Sequence, residues 1–231
     1  MLTLRGQKEE VETQVVSNFV DSVNALLENG SENVVVGFVG GRSIQGILNL
    51  LSHVEGFGDS VDWSRIEIFI VDERWVSVLD ESSNFKQLAS MLLESLYDKG
   101  LSSDNVHRFD IDSENGLESY NSDFLKFGGR FDIVFLGAGE DGHVASLYPN
   151  HSILDGSEGF VEVLDSPKAP AHRMSASRSL LEKSGLAYLL FFGFEKQEAY
   201  DNFLDPSVSV EECPAKLVLA CTQSVVVTDL K

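Results

Sequence analysis

The segment from residue 137 to residue 149 holds the densest group of side chains that could do chemistry. His143 follows a run of glycines and lies two residues after Asp141. An imidazole titrates near neutral pH, so His143 is suited to take a proton from water, and a nearby carboxylate is suited to orient its ring. The alternative is a histidine with no role. The glycine-rich setting favours His143 as a general base positioned by Asp141.

The same glycines allow a second interpretation, a dinucleotide site. Gly137, Gly139 and Gly142 spell G-x-G-x-x-G after an apolar run, and Asp165 lies near the end of a later candidate strand. In dinucleotide-binding folds this pattern opens a helix that binds a pyrophosphate. Pro149 follows Gly142 by only seven residues, which is unusually soon for a crossover helix. The dinucleotide site is therefore the weaker hypothesis, and we expect neither a cofactor nor a metal.

A second glycine-rich turn, Gly40-Gly41-Arg42-Ser43, follows an earlier apolar run. Two glycines let backbone N–H groups approach a ligand closely, and the N-terminus of the following helix adds partial positive charge. Arg42 and Ser43 would then complete a phosphate site. The alternative is a tight strand-to-helix turn in which Ser43 only caps the helix. No Gly-Lys-Ser/Thr follows, so the turn is not a Walker loop.

Further charged residues lie where predicted strands or loops end. Asp72-Glu73-Arg74 directly follows an apolar strand, and Arg74 is the candidate anion binder because a guanidinium fork matches carboxylate and phosphate oxygens. Asp72 is a candidate substrate contact. Arg173 follows a proline-bearing loop, and Lys196 follows the fourth predicted strand. The alternative for all of them is a solvated surface with local ion pairs.

The chain as a whole is acidic. Its 231 residues include 37 Asp or Glu and 17 Lys or Arg, which gives a net charge of −20. It has no basic stripe for nucleic acid and no polybasic cluster for anionic lipid. A hydrophobic fraction of 43% argues against disorder. Two cysteines without a disulfide or zinc pattern, and no signal peptide, lead us to expect a cytoplasmic protein, monomeric or weakly homo-oligomeric, without nucleic-acid or membrane partners.

Hydrophobic periodicity predicts strands that alternate with helices. This order indicates an α/β fold with a mostly parallel sheet and helices on both faces, and no composition shift divides residues 1–231 into separate domains. The predicted strands are 33–39, 66–71, 131–136, 186–192 and 224–228; the predicted helices are 11–27, 44–51, 84–97 and 195–204; residues 98–123 are expected to form a solvated acidic helix with flanking loops, and residues 156–170 a loop.

Taken together, these segments resemble the 6-phosphogluconolactonases, in the same order and over most of the chain. The most specific part is the run from Asp141-Gly-His to Ser-Leu-Tyr-Pro149. The glycine turn departs from the family pattern, because Ser-Thr-Pro usually follows it and this chain has Arg-Ser-Ile. The other matching segments are 71–74 with 83–84 downstream, 167–170 followed by Arg173, 193–196 and 214–215.

The resemblance implies a Rossmann-like sheet related to that of sugar-phosphate isomerases and deaminases. It also implies hydrolysis of 6-phosphogluconolactone to 6-phosphogluconate in the oxidative pentose phosphate pathway. His143 would activate water, and Arg74 or backbone N–H groups between Gly137 and Gly142 would polarise the carbonyl. The residues implied for the phosphate end are Gly40, Gly41, Arg42, Ser43, Arg173 and Lys196, and the partner is a small sugar-phosphate lactone.

Two alternatives to the lactonase remain. Glucosamine-6-phosphate deaminases also carry Asp-Gly-His, but they place a glutamate just before the proline, where this chain has Tyr148. A deaminase proton relay would therefore lack one member. A non-catalytic sugar-phosphate-binding module is the other alternative, and the presence of Asp141, His143 and Arg74 together argues against it.

Overall fold

A computed structural model describes residues 1–53 and 61–231 of the chain. Its strands, in chain order, are β1 (Leu2–Arg5), β2 (Val34–Phe38), β3 (Ile66–Ile70), β4 (Asp72–Arg74), β5 (Val106–His107), β6 (Ile133–Gly137), β7 (Phe160–Val163), β8 (Arg173–Ala176), β9 (Leu186–Phe191) and β10 (Gln223–Thr228). Its α-helices are α1 (Lys8–Glu28), α2 (Gln45–His53), α3 (Asn84–Leu88), α4 (Glu94–Tyr97), α5 (Gly116–Lys126), α6 (Arg178–Glu182) and α7 (Gln197–Leu204). A π-helical segment, Ala89–Leu93, joins α3 to α4.

Seven strands form a parallel sheet in the order β1-β10-β9-β6-β2-β3-β5. Each strand predicted from an apolar run lies in this sheet, because β-branched and aromatic side chains fill a layer buried on both faces. The chain builds outward from β2 through β3 to β5 on one side, and from β6 through β9 to β10 on the other. The order therefore reverses between β2 and β6, and in open α/β sheets ligands bind beyond the carboxyl ends of strands at such a point.

Aromatic rings stack through the centre of the sheet and hold these two strands in place. Phe38 on β2 stacks on Phe135 of β6 with 5.1 Å between ring centroids, and Phe135 stacks on Tyr188 of β9 at 5.0 Å. Phe19 of α1 packs against Phe135 at 5.5 Å. All four rings are fully buried. Offset and tilted ring pairs of this kind add to the stability that burial gives.

A second, antiparallel sheet in the order β4-β8-β7 was not expected. The sequence predicts no strand at residues 72–74 and a loop at residues 156–170, but the first segment forms β4 and the second contains β7. β4 consists of charged residues, so its own sequence does not indicate a strand. It forms one by pairing with a distant segment: Asp72 is in register with Ser175, and Arg74 with Arg173. This sheet carries two arginines across from each other at the edge of the crevice.

Two further strands were missed for different reasons. β1 pairs with β10 at the edge of the sheet and is largely exposed, so it lacks an apolar run. β5 is only two residues long and lies in the acid-rich stretch expected to be solvated. That stretch is also less solvated than expected, because Tyr120 of α5 is buried and its hydroxyl contacts both backbone groups of Ile70. Among residues 1–53 and 61–231, no helix combines the length and apolar character needed to cross a membrane.

Candidate active site

The carboxyl ends of β2 and β6 open onto a cavity of about 150 Å³. The fold gathers there residues that are widely separated in the sequence. The predicted site residues that line the cavity are Gly40, Gly41, Arg42, Ser43, Asp72, Arg74, His143, Arg173 and Lys196. Asp141 is not part of the lining, but it contacts His143 from behind.

His143 is held by its nearest carboxylate. Its Nδ1 makes a short contact with Asp141 Oδ1, so Nε2 is the ring nitrogen available for proton transfer. Burial opposes ionisation of Asp141, but the hydrogen bond and charge of His143 and the charge of Lys168 hold the pKa of this carboxyl well below its usual range. The carboxylate is therefore ionised at neutral pH and can orient the imidazole.

The glycines of this loop shape it tightly around the histidine. The Gly139 N–H donates to the His143 carbonyl at 2.7 Å, and the Gly142 N–H donates to the Gly139 carbonyl at 3.1 Å. A Cβ on Gly139 would lie 2.0 Å from His143 Nδ1, so only glycine fits there. Within the described residues 138–151, no helix follows β6. The dinucleotide hypothesis is therefore wrong, because the loop has no helix N-terminus to bind a pyrophosphate.

The glycine turn after β2 is clamped by a residue that the sequence did not indicate. Gln87 of α3 accepts the Gly41 N–H at 2.8 Å and donates to the Gly41 carbonyl at 2.9 Å. Gly41 has a φ of +94°, a conformation that favours glycine. The expectation that both glycine N–H groups face a ligand is corrected for Gly41, whose N–H is already bound within the protein.

The charged trio of β4 divides its side chains between two environments. Asp72 and Arg74 line the cavity, whereas Glu73 is buried on the other side of the strand. The Glu73 carboxylate accepts the backbone N–H groups of Asn84 and Phe85 at 2.8 Å each. Burial raises the pKa of Glu73, and these hydrogen bonds oppose the rise. Glu73 thus caps α3 and does not form the local ion pair considered from the sequence.

Asp72 is fixed by a buried polar network at the cavity wall. Its Oδ2 accepts the Ser146 hydroxyl at 2.9 Å, and its Oδ1 accepts Asn84 Nδ2 at 3.2 Å. Asn84 Nδ2 also donates to the Asp72 carbonyl at 2.7 Å. Asn84 itself lines the cavity. The network joins β4, α3 and the loop after β6, so it holds three parts of the site together.

The two arginines facing each other across β4 and β8 are bound differently. Arg173 is buried, and its Nε and Nη2 donate to the carbonyls of Pro170 and Lys168 at 2.9 and 3.0 Å. Arg74 donates from Nη1 to the Ser82 carbonyl. Its Nε is buried and has no hydrogen-bond partner among the described residues. Arg74 lines the cavity, although its Nε is buried and not exposed to it.

Cations gather at the outer end of the cavity. Arg42 is exposed, and its Nη2 lies 3.6 Å from Glu195 Oε1. Burial lowers the pKa of Lys196. The positive charges of Lys168 and Arg42 lower this pKa further, whereas the nearby carboxylates of Glu140 and Glu195 raise it. An anion bound here would relieve the repulsion among these three cations.

Comparisons with known proteins agree with this geometry. The family model described as glucosamine-6-phosphate isomerases/6-phosphogluconolactonase matches residues 6–227. The chain belongs to this family. A 6-phosphogluconolactonase from Borreliella burgdorferi is 33% identical over 225 residues, covering 95% of this chain and 93% of that protein. Another from Streptomyces coelicolor is 30% identical over 193 residues, covering 77% and 72%.

The fold is shared with solved structures. The crystal structure of a 6-phosphogluconolactonase from Thermotoga maritima matches with a TM-score of 0.85 over 99% of each chain, at 24% identity. The resemblance inferred from the sequence and the mostly parallel α/β fold are both confirmed.

Residue 148 bears on the two activities that the glucosamine-6-phosphate isomerase/6-phosphogluconolactonase family combines. Tyr148 is buried, and its ring centroid lies 4.6 Å from that of His143. Burial raises the pKa of Tyr148, so the phenol is neutral at physiological pH. The side chain next to His143 is therefore an uncharged ring, in place of the glutamate that the deaminase resemblance requires.

Proposed function

We propose that this chain hydrolyses 6-phospho-D-glucono-1,5-lactone to 6-phospho-D-gluconate in the oxidative pentose phosphate pathway, with His143 as the general base. The observation that carries the proposal is the Asp141–His143 contact beside a cavity lined by cations. The curated lactonase relatives support the activity, in agreement with the preference for a lactonase drawn from the sequence.

In this reaction His143 Nε2 takes a proton from water while the water oxygen bonds to the lactone carbonyl carbon. Asp141 stabilises the imidazolium that forms. When the bond from the carbonyl carbon to the ring oxygen breaks, the imidazolium returns the proton to that oxygen. The product is a hydroxy acid, which ionises at neutral pH. A lactone is an activated ester, so one base and one group that polarises the carbonyl are sufficient.

Arg74 is the best-supported group for stabilising the oxyanion. The N–H groups of Ala138, Gly139 and Gly142 all donate to backbone carbonyls within the protein. They are therefore not free to donate to a substrate. Arg74 lines the cavity, where its positively charged guanidinium can stabilise an oxyanion. A preorganised donor in a partly buried site is worth more than the same donor in water.

The phosphate binds at the outer end of the cavity, near Arg42, Ser43 and Lys196. Arg42 and Ser43 lie in the glycine turn, and Lys196 ends the 3₁₀ turn Phe194–Lys196, directly before α7. Binding of the remote dianion positions the ring carbonyl beside His143, which converts binding energy into rate. The substrate thus lies with its phosphate outward and its lactone near Arg74 and His143.

Replacement of the base tests the proposal. We expect His143→Ala to lower kcat by about 10²–10⁴-fold, the usual contribution of a positioned base. Lactone opening is followed by pH-stat and corrected for spontaneous hydrolysis. His151→Ala is the matched control, because His151 forms a similar pair with Asp165 at 3.0 Å outside the cavity. If His143→Ala stays within about twofold of wild type, the base role is wrong.

The deaminase alternative has its own test. If the protein releases ammonia from glucosamine 6-phosphate faster than it releases acid from the lactone, the proposed activity is wrong and the protein is a deaminase.

We further propose that the protein acts in the cytoplasm as a monomer or a weak homo-oligomer. Cys213 and Cys221 are buried free thiols, which fits a reducing compartment. Light scattering over a range of protein concentrations measures the oligomeric state directly.

A further inference from the structure

The proline-bearing loop beside the cavity is held from within by one arginine. Arg173 donates to the Pro170 carbonyl at 2.9 Å, to the Lys168 carbonyl at 3.0 Å and to the Ala169 carbonyl at 3.5 Å. Its planar fork thus binds three consecutive carbonyls, and its backbone belongs to β8. Only 5% of the residue is exposed. This geometry fixes the loop to the small sheet, and it uses two of the three nitrogens of the guanidinium.

The clamped loop places a lysine against the carboxylate that orients the histidine. Lys168 Nζ lies 3.7 Å from Asp141 Oδ1, the same oxygen that contacts His143 Nδ1. The Ser166 hydroxyl donates to the Lys168 carbonyl at 3.0 Å and accepts the Lys168 N–H at 3.3 Å. The backbone of Lys168 is therefore held by Arg173 and Ser166, so only the side chain must be ordered to reach Asp141.

We propose that Lys168 is a positioning residue for the Asp141–His143 pair, and that Arg173 acts by holding the Lys168 loop rather than by gripping the phosphate. The inference rests on the proposed function, because it assigns Lys168 a role only if Asp141 and His143 take part in the reaction. A carboxylate held by a cation on one side and by the imidazole on the other keeps one orientation through the catalytic cycle, whereas a carboxylate without the cation can rotate into solvent.

A positioning role and a phosphate-binding role predict opposite kinetic effects. Loss of a group that orients the base lowers kcat, whereas loss of a group that binds the phosphate in both ground and transition states raises KM. We expect Lys168→Met to lower kcat roughly tenfold, less than the loss from a full misplacement of the base because the lysine is half exposed. KM and the Kd of 6-phosphogluconate, measured by calorimetry, should stay within about twofold.

Three variants control for charge and for indirect effects. Lys168→Arg keeps the cation and should recover most of kcat. In an Asp141→Asn background, Lys168→Met should change kcat by less than about twofold, because the group that it positions is gone. Lys126→Met removes a lysine from an exposed pair with Asp123 on α5 and should leave the kinetics unchanged.

Arg173→Lys tests the clamp. This variant keeps the positive charge but cannot form the planar fork to consecutive carbonyls. It should lower kcat about as much as Lys168→Met, and the double variant should be no worse than either single variant, because both act through one loop. Circular dichroism and Tm check that Arg173→Lys folds. The Lys168 variants test the positioning role of Lys168 independently of Arg173.

Several outcomes would overturn the inference. A rise in KM and in the Kd of 6-phosphogluconate at unchanged kcat would make Lys168 a phosphate contact. Kinetics of Lys168→Met equal to those of Lys126→Met would remove any role. Additive losses in the double variant would separate Arg173 from Lys168. The His143→Ala variant distinguishes these failures from failure of the proposed function. If His143→Ala stays active, the general-base role of His143 is contradicted. If His143→Ala is inactive while Lys168→Met has wild-type kinetics, only the positioning role of Lys168 is contradicted.

Discussion

Asp141 shows, at the residue scale, how a side chain outside the cavity can control one inside it. The sequence indicated that Asp141 would orient His143, because the two are separated by a single glycine and follow a strand. It could not indicate Lys168 as a partner, because that contact spans 27 residues and depends on the loop that Arg173 clamps. The ordering of the base thus depends on one local contact and one contact set by tertiary structure.

The charge of Asp141 predicts a pH dependence of stability. Its pKa is lower in the folded state than its usual value of 3.8. Such a group stabilises the fold above its unfolded-state pKa and loses that contribution as pH falls through the folded-state pKa. We expect Asp141→Asn to be less stable than wild type at pH 6, with a difference that shrinks below about pH 4. Urea unfolding at several pH values measures this, with Asp123→Asn as control. A difference independent of pH would contradict the assignment.

At the scale of elements, the strands that the sequence predicted are those that consist mainly of apolar residues. The apolar runs of β2, β3, β6 and β9 fill the interior of the parallel sheet, and their polar ends deliver the site. The antiparallel sheet could not be predicted in this way. β4 consists of three charged residues, and it becomes a strand because β8 supplies its hydrogen-bond partners from about 100 residues later. Gln87 was likewise not predicted, because a helical segment shows its tertiary partners only after folding. Asn84 lies in a segment that matches the family, but its contacts with Asp72 were not predicted.

Glu73 links β4 to α3, and its removal should destabilise the fold. Its carboxylate accepts two N–H groups of the first turn of α3 and the Ser83 hydroxyl, and these three hydrogen bonds are buried or partly buried. Glu73→Ala leaves these donors unpaired, which costs about 2–3 kcal/mol and lowers Tm by roughly 5 °C. Thermal unfolding measures the change. Glu81→Ala is the control, because the Glu81 side chain is 94% exposed and pairs with Lys86 at the surface. Equal Tm values for the two variants would contradict the capping role.

At the scale of the whole molecule, the cavity concentrates positive charge although the net charge of the chain is negative. The net charge is −20, yet Arg42, Arg74, Arg173 and Lys196 all line one cavity, with Lys168 just behind it. The sequence predicted this concentration only because each cation follows a strand or a loop at the same edge of the sheet. The single domain expected over residues 1–231 stays a prediction. What the fold adds is that Arg42 and Lys168 each face a carboxylate in the free protein, so the cations are partly neutralised until an anion arrives.

This charge distribution predicts how salt affects substrate capture. A dianionic lactone approaching a strongly acidic protein is repelled at long range and attracted only near the cavity. Added salt screens the long-range field over a Debye length of about 10 Å at 0.1 M, while the partly buried cations are screened less. We expect kcat/KM at low substrate to rise about two- to threefold between 0.01 and 0.1 M salt. Stopped-flow turnover measures it, and the unphosphorylated lactone is the neutral control. A fall in kcat/KM with salt would mean that the cavity's cations dominate the field that the substrate meets.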